Sequence, residues 1–335
     1  MAKLISADLT NNKLCMLEYT TTDGKLLSIK PDAFDAEIVS HTYTDIGRII
    51  FGKPITIIRE EAFGECTSLT NVTIPDSVTT IGERAFHSCE SLENVTIPIS
   101  VTTIGDKAFA RCFSLTNVTI PNSVTTIGEQ AFLGCKSLTS VTIPDSVTTI
   151  GEAAFFSCKS LKEFKGKFAA DNGRCLIIDG ALNSFAFGCG ATEYTIPDGV
   201  TTIGERAFLG CTSLTSVTIP DSVTTIEEAA FARCSSLTDV TIPDSVTTIG
   251  ERAFHSCESL ENVTILNSVT TIGQFAFIGC SNINMILCRA TTPPKLYISS
   301  DSTPASFDKF KPLVVPTGCE EAYANSDWWC YLKEQ

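Results

Sequence analysis

The chain has 335 residues, of which 43% are hydrophobic and 19% charged, a balance that suits a well-packed soluble protein and excludes an intrinsically disordered one. Its 38 Asp and Glu outnumber 24 Lys and Arg, for a formal charge of -14, which repels nucleic acid and anionic lipid surfaces. No stretch reaches the roughly 18 apolar residues of a spanning helix, and residues 1–20 show no basic segment followed by an apolar one, so no export signal is expected there.

Residues 1–54 precede the regular part of the sequence and are expected to cap one end of it. Within them, Gly47-Arg-Ile-Ile-Phe-Gly52-Lys53 matches the opening of a phosphate-binding loop, but Pro54 stands where Ser or Thr would hold magnesium. Ile49-Ile50-Phe51 reads instead as a buried strand, which does not offer the open N–H groups that cradle phosphate. Nucleotide binding is therefore not expected.

From Ile55 onward the sequence repeats. Ile-Pro recurs at residues 74, 97, 120 and 143, then at 196, 219 and 242, in steps of 23 within each block, and Ala-Phe and a cysteine keep the same phase. One unit reads Leu-x-x-Val-x-Ile-Pro-x-x-Val-x-x-Ile-Gly-x-x-Ala-Phe-x-x-Cys-x-x, and residues 74–97 and 242–265 are identical. Val72 and Ile74 sit at strand spacing while Thr73 between them points to the other face, so a short half-buried strand is expected. Pro75 cannot extend a ladder, and Pro-Asp-Ser favours a turn. Val78 and Ile81 then return to the core, and Ala85-Phe86 reads as one helical or 3₁₀ turn on the opposite side. A single unit cannot bury this apolar set, whereas stacked units can.

This repeat closely resembles the BspA-like, or Treponema-type, leucine-rich repeat from about Ile55 to Cys288. The flanks resemble those of the same family's bacterial surface antigens. Tyr19-Thr-Thr-Thr-Asp-Gly24 and Ala33-Phe34 look like a lead-in hairpin region, and Ala290-Thr-Thr-Pro-Pro294 and Val315-Pro-Thr-Gly-Cys-Glu-Glu-Ala-Tyr323 look like a terminal cap. The expected fold is a repeat solenoid: a leucine-rich-repeat right-handed superhelix of about ten 23-residue coils, with short parallel β-strands on one face and a cap at each end. The expected divisions are an N-terminal cap over 1–54, the solenoid over 55–288 and a C-terminal cap over 289–335.

The period breaks once. Between Ile143 and Ile196 the step is 53, two units plus seven residues, which places an irregular insertion within 161–190. Cys175-Leu-Ile-Ile-Asp179-Gly180-Ala-Leu reads as a hairpin, because Asp-Gly suits a type I′ turn, and it is expected to project from, or bulge, the side of the solenoid. At the other end Pro293-Pro294 stops the pattern, residues 320–332 are expected to form a short helix, and Trp328 and Trp329 to pack into the cap.

Cys66, Cys89, Cys112, Cys135, Cys158, Cys211, Cys234, Cys257 and Cys280 fall at one core position per unit, where cysteine acts as a small hydrophobe. Their 23-residue spacing is a packing period and no Cys-x-x-Cys pair exists, so free buried thiols are expected rather than metal or redox sites. His87 and His255 each precede a cysteine by two but lie too many coils apart to share an ion, and His41 is the only other histidine. No catalytic triad, metal site or cofactor site can be assembled from these groups, and no enzymatic activity is expected.

What remains is the outward strand face. One column runs Thr70, Glu93, Thr116, Thr139, Lys162, Thr215, Thr238 and Glu261; a second Asn71, Asn94, Asn117, Ser140, Glu163, Ser216, Asp239 and Asn262; a third Thr73, Thr96, Thr119, Thr142, Lys165, Thr218, Thr241 and Thr264. Short hydroxyl and amide groups hydrogen-bond a partner at low entropic cost, which makes this concave strand face the candidate ligand site; β-propensity alone also accounts for the threonines. The Asn-Val-Thr sequons at Asn71, Asn94, Asn117 and Asn262 read as by-products of the strand pattern. The residues themselves show only an extended polar surface suited to recognising another macromolecule, with no nucleic-acid partner and no membrane insertion expected; the partner is expected to be a protein and the chain a monomer. The resemblance implies adhesion to host or extracellular-matrix proteins from the cell surface or after secretion, and the missing export segment keeps a cytoplasmic interaction scaffold as the alternative.

Overall fold

Strand geometry sends alternate residues to opposite faces, and the end of the strand Leu69–Thr73 obeys it: Val72 is buried, Thr73 exposed and Ile74, just beyond the strand, buried again. A computed structural model describes residues 15–30, 32–296, 306–307 and 313–328, and in it this strand forms one side of a three-sided coil that recurs with the sequence period. The chain divides into two units, Met1–Arg174 and Cys175–Gln335, each a solenoid of such coils.

In the first unit the long-strand side holds Leu69–Thr73, Asn94–Thr96, Asn117–Val118, Ser140–Ile143 and Glu163–Gly166, with Asn71 opposite Asn94, Asn94 opposite Asn117 and Ser140 opposite Glu163 in parallel register. A second side, where Val78 and Ile81 return to the core, is also a parallel ladder. Ile57–Ile58, Thr80–Ile81, Thr103–Ile104, Thr126–Ile127 and Thr149–Ile150 pair Thr on Thr and Ile on Ile from coil to coil. Ahead of the coils, Met16–Thr21 pairs antiparallel with both Gly47–Phe51 and Leu69–Thr73, and Ile38–Tyr43 pairs antiparallel with Gly47–Phe51.

The third side corrects an expectation: Ala85-Phe86 is not in a helical turn. Ala85, His87 and Cys89 donate to the carbonyls of Gly82, Arg84 and Phe86 three residues back, while Arg84, Phe86 and Ser88 between them donate to Asp106, Ala108 and Ala110 of the next coil. Alternation of this kind needs left-handed backbone, and Arg84 (φ 51°) and Ser88 (φ 57°) provide it, as do Lys107, Arg111, Gln130 and Ser157 at the same places in later coils. Non-glycine residues stay there because the coil-to-coil bonds repay the local strain.

Inside this coil set the rows fuse into one interior. Phe63, Phe86, Phe109, Phe132 and Phe155 stack face to face with centroids 5.0–5.4 Å apart, and the Leu, Val, Ile, Ala and Cys rows around them are buried. Gly128 and Gly151 sit where coils nearly touch: a Cβ on Gly151 would lie 2.3 Å from the Glu129 backbone nitrogen.

The second unit begins with an antiparallel hairpin, Cys175–Ile178 with Ala181–Phe185, turned through Asp179 (φ 49°) and Gly180 (φ 80°). It does not project. Ala181 and Leu182 pair in parallel with Thr202 and Ile203, because Leu182 and Phe185 are apolar and buried, so the second hairpin strand starts the ladder that continues through Thr225–Ile226, Thr248–Ile249, Thr271–Ile272 and Lys295–Leu296. The long-strand side carries Glu193–Thr195, Ser216–Thr218, Asp239–Ile242, Asn262–Ile265, Met285–Cys288 and Leu313–Val314. Phe208, Phe231, Phe254, Phe277 and Phe307 repeat the stack at 4.8–5.2 Å.

Its last coils are closed by aromatic groups with their polar atoms satisfied. The Trp328 indole, fully buried, donates to the Pro294 carbonyl at 2.8 Å, and the Tyr323 hydroxyl donates to the Ala290 carbonyl at 2.8 Å. The helix expected over 320–332 is shorter, Glu320–Ala324, and gives way to a turn at Asn325. Trp329 lies outside the described residues.

Candidate functional site

The strand face of the first unit presents its three columns unequally. Glu93, Asn94, Thr116, Asn117 and Thr139 are exposed and Thr70, Asn71 and Ser140 half-buried, yet much of their hydrogen-bonding capacity is turned inward. Thr20 of the leading strand bonds both Thr70 (Oγ1 to Oγ1, 2.6 Å) and Asn71 (from Nδ2, 2.8 Å), and Asn94 Nδ2 donates to Asn71 Oδ1 at 3.0 Å. Glu163 and Lys165 form an ion pair at 2.7 Å with both side chains about half exposed, an arrangement of small energetic weight. The third column differs: Thr73, Thr96, Thr119 and Thr142 are exposed, and their hydroxyls have no hydrogen-bond partner among the described residues.

The second unit repeats the contrast. Thr215 and Thr238 donate to the carbonyls of Thr192 and Thr215 in the preceding coil, and Asp239 Oδ1 accepts from Asn262 Nδ2 at 3.0 Å. Ser216 is half-buried, and Thr218 and Thr241 are exposed. Following the register further shows what the sequence reading missed. Asn262 is opposite Met285, Thr264 opposite Leu287, and Leu287 opposite Val314, so the hydroxyl and amide columns end on apolar side chains, with Met285 37% and Val314 43% exposed. Continuing the 23-residue period from Asn262 and Thr264 points to Met285 and Leu287, and that signal was available in the sequence.

The cysteine column is a hydrogen-bonding row as well as a packing row. Cys89, Cys112, Cys135 and Cys158 donate from Sγ to the carbonyls of Phe63, Phe86, Phe109 and Phe132 one coil earlier, at 3.1–3.3 Å. Cys234, Cys257 and Cys280 do the same to Phe208, Phe231 and Phe254. Burial pushes the Cys66 thiol up to about 11 and raises those of Cys89, Cys112 and Cys135 far above the ordinary thiol range, which makes them poor nucleophiles and poor metal ligands.

His41 Nε2 and the Tyr19 hydroxyl are hydrogen-bonded at 2.7 Å, and burial lowers the His41 pKa. Burial, with Arg111 and Arg84 nearby, lowers that of His87; His255 Nδ1 is bonded to Ser256 Oγ at 2.9 Å. Among the described residues no three His, Cys, Asp or Glu side chains gather to hold a metal ion. The stretch matching a phosphate loop is the strand Gly47–Phe51, paired on both sides, with Ile49 and Phe51 buried. No helix among the described residues is long and apolar enough to cross a membrane.

The model of the BspA type leucine rich repeat region matches residues 37–162 and 181–293, with six copies. The chain is similar in structure to a leucine-rich repeat protein from Eubacterium ventriosum, over 90% of this chain and 85% of that one, with a TM-score of 0.64 and 20% identity. It is also similar to the pneumococcal vaccine antigen PcpA, over 91% of this chain and 97% of that one, with a TM-score of 0.59 and 16% identity. At these identities the likeness is one of fold. No curated protein matches the chain.

Proposed function

Because the chain belongs to the BspA-type leucine-rich repeat family, we propose that it recognises another protein through its outward strand face, and that this recognition attaches it to a host or extracellular-matrix protein. One observation carries the reading. The exposed Thr218 and Thr241 hydroxyls, which bond to no described residue, lead along the strand ladder toward Met285, Leu287 and Val314. Free hydroxyls beside an exposed, conformationally adaptable apolar cluster combine hydrogen-bonding specificity with a desolvated anchor, the two ingredients of a protein interface. Among the neighbouring polar groups, Thr215 and Thr238 bond to the backbone of the preceding coil and Asp239 to Asn262, so these contribute shape rather than free valences.

Binding to immobilised fibronectin, laminin and collagen, read by biolayer interferometry, tests it. A Thr241→Arg, Met285→Glu double variant is expected to lose about tenfold or more in affinity. Thr224→Arg with Thr247→Arg, at exposed residues one position before the other strand ladder, should bind as the parent does. Failure of all three proteins to bind, or equal loss in both double variants, overturns the reading.

A second reading, an interaction scaffold inside the cell, is favoured by the unbridged thiols of Cys89, Cys112, Cys135 and Cys257, since reducing compartments are where so many cysteines stay reduced. Labelling intact source cells with an impermeant reagent separates the two.

A further inference from the structure

Ladders between coils run out of partners at the end of a stack, and the first coil of the N-terminal unit finishes its three sides differently. On the long-strand side, Met16–Thr21 pairs with Leu69–Thr73. On the second side, donors point back to the coil before: Thr79 N–H bonds the Thr56 carbonyl and Gly82 N–H the Ile58 carbonyl, each at 2.8 Å. The first coil is therefore left with N–H groups, and the Asp35 carboxylate takes them, accepting from Thr56 N–H at 2.9 Å, Ile57 N–H at 3.2 Å and the Thr56 hydroxyl at 2.6 Å.

On the turn side the direction reverses. Phe63 N–H donates to the Ala85 carbonyl and Glu65 N–H to the His87 carbonyl of the next coil, both at 2.7 Å, so here the first coil is left with carbonyls. Ala62 and Gly64, which hold the places of Ala85 and His87 one period earlier, accept no hydrogen bond from any described residue. Both line a cavity of about 550 Å³ that is also lined by residues 26–30. In that stretch Leu26 is 52% exposed, and the N–H groups of Leu26, Ser28 and Ile29 donate to no described residue. Two acceptors two residues apart that no described residue fills, at the spacing of the donors that serve the later coils of this unit, mark the place of an added chain segment.

We propose that this cleft binds an extended peptide segment of a partner protein, whose alternate main-chain N–H groups donate to the Ala62 and Gly64 carbonyls while an apolar side chain covers Leu26. The mode is addition of a strand-like rung to an open edge, with affinity from the main chain. The ionic setting selects the side chains. Lys30 is held by Glu61 at 2.8 Å, Glu65 on the same rim is exposed and has no ion-pair partner among the described residues, and the chain carries a charge of -14, so the segment is neutral to basic rather than acidic.

The probe is a fluorescein-labelled hexapeptide, acetyl-Lys-Val-Thr-Val-Thr-Lys-amide, titrated with the full chain by fluorescence anisotropy. Two N-methylated versions, at both valines or at both threonines, remove alternate sets of N–H donors. The parent peptide is expected to bind saturably, one N-methylated version to weaken by about tenfold or more, and Leu26→Glu in the protein to weaken the parent peptide by a similar factor. Thr241→Arg on the strand face is expected to change nothing here, so failure in this assay leaves the strand-face reading to its own test. Absence of saturable binding, or equal binding of the parent and both N-methylated peptides, overturns the proposal.

Discussion

Replacing Phe109 with Ala probes the stacking that makes the repeat a single interior. Its side chain is fully buried and sandwiched between Phe86 at 5.1 Å and Phe132 at 5.4 Å, with rings parallel to within 1° and 8°. Truncating a core Phe costs about 3–5 kcal/mol in lost transfer energy and residual cavity, and each aromatic contact adds about 0.5–1.5 kcal/mol. Phe109→Ala is thus expected to remove about 4–8 kcal/mol, a large share of the roughly 5–15 kcal/mol that holds a domain folded. Phe109→Leu, which restores most of the volume but not the stack, should fall between variant and parent. Phe113 is the control: it is half-buried with Lys136 Nζ 3.8 Å from its ring centroid, and Phe113→Ala should cost only about 0.5–1 kcal/mol. Urea unfolding followed by far-UV circular dichroism measures all three. A Phe109→Ala variant within about 1 kcal/mol of the parent, or a Phe113→Ala variant as damaged as Phe109→Ala, would refute the stacked interior.

Other sites give sharper contrasts. Gly151→Ala places a methyl 2.3 Å from the Glu129 nitrogen and is expected to cost about 2 kcal/mol or more, whereas Gly134→Ala, whose Cβ meets nothing closer than 4.0 Å, pays only for its left-handed backbone at φ 71°; thermal melts of the two should differ clearly. Asp35 is partly desolvated, which raises its pKa, but bonds from Thr56 and Ile57 outweigh this and hold it below its ordinary value of 3.8. Its contribution is therefore present above that value and disappears as pH falls through the lower folded value; Asp35→Asn should cost about 1–2 kcal/mol at pH 7, and the gap from the parent should close in acid. Among the described cysteines Cys189 and Cys319 are partly exposed while the column thiols are buried, so iodoacetamide followed by peptide mass mapping should modify those two first and reach Cys112 and Cys135 only in denaturant.

How much of this was legible in the sequence depends on what carries the signal. The long strands were, because Val72, Thr73 and Ile74 alternate as a half-buried strand must. The second ladder was not: Thr80–Ile81 is two residues long, too short to show a period, and its order comes from pairing with identical residues one coil away. Ala85-Phe86 reads as a helical or 3₁₀ turn in sequence, while the left-handed residues that break it, Arg84 and Ser88, carry no sequence mark of that conformation. The thiol bonds join residues 26 apart, a geometry that exists only after stacking. Of the candidate site, the exposed Thr column followed from the alternation, but which hydroxyls are spent internally did not, since Thr215 and Thr241 look alike until the carbonyls of the neighbouring coil are in place. The open carbonyls of Ala62 and Gly64 belong to the backbone and have no residue signature at all.

Recognition through the strand face is tested most directly by photocrosslinking. A benzophenone amino acid introduced at Met285 lies among the apolar side chains of that face, and the same group at Ile99, 83% exposed at a coil corner, samples a different side of a coil. With source-derived partner protein present, a covalent adduct is expected from position 285 and not from position 99. Adducts from position 99 alone, or equally from both, would contradict the account.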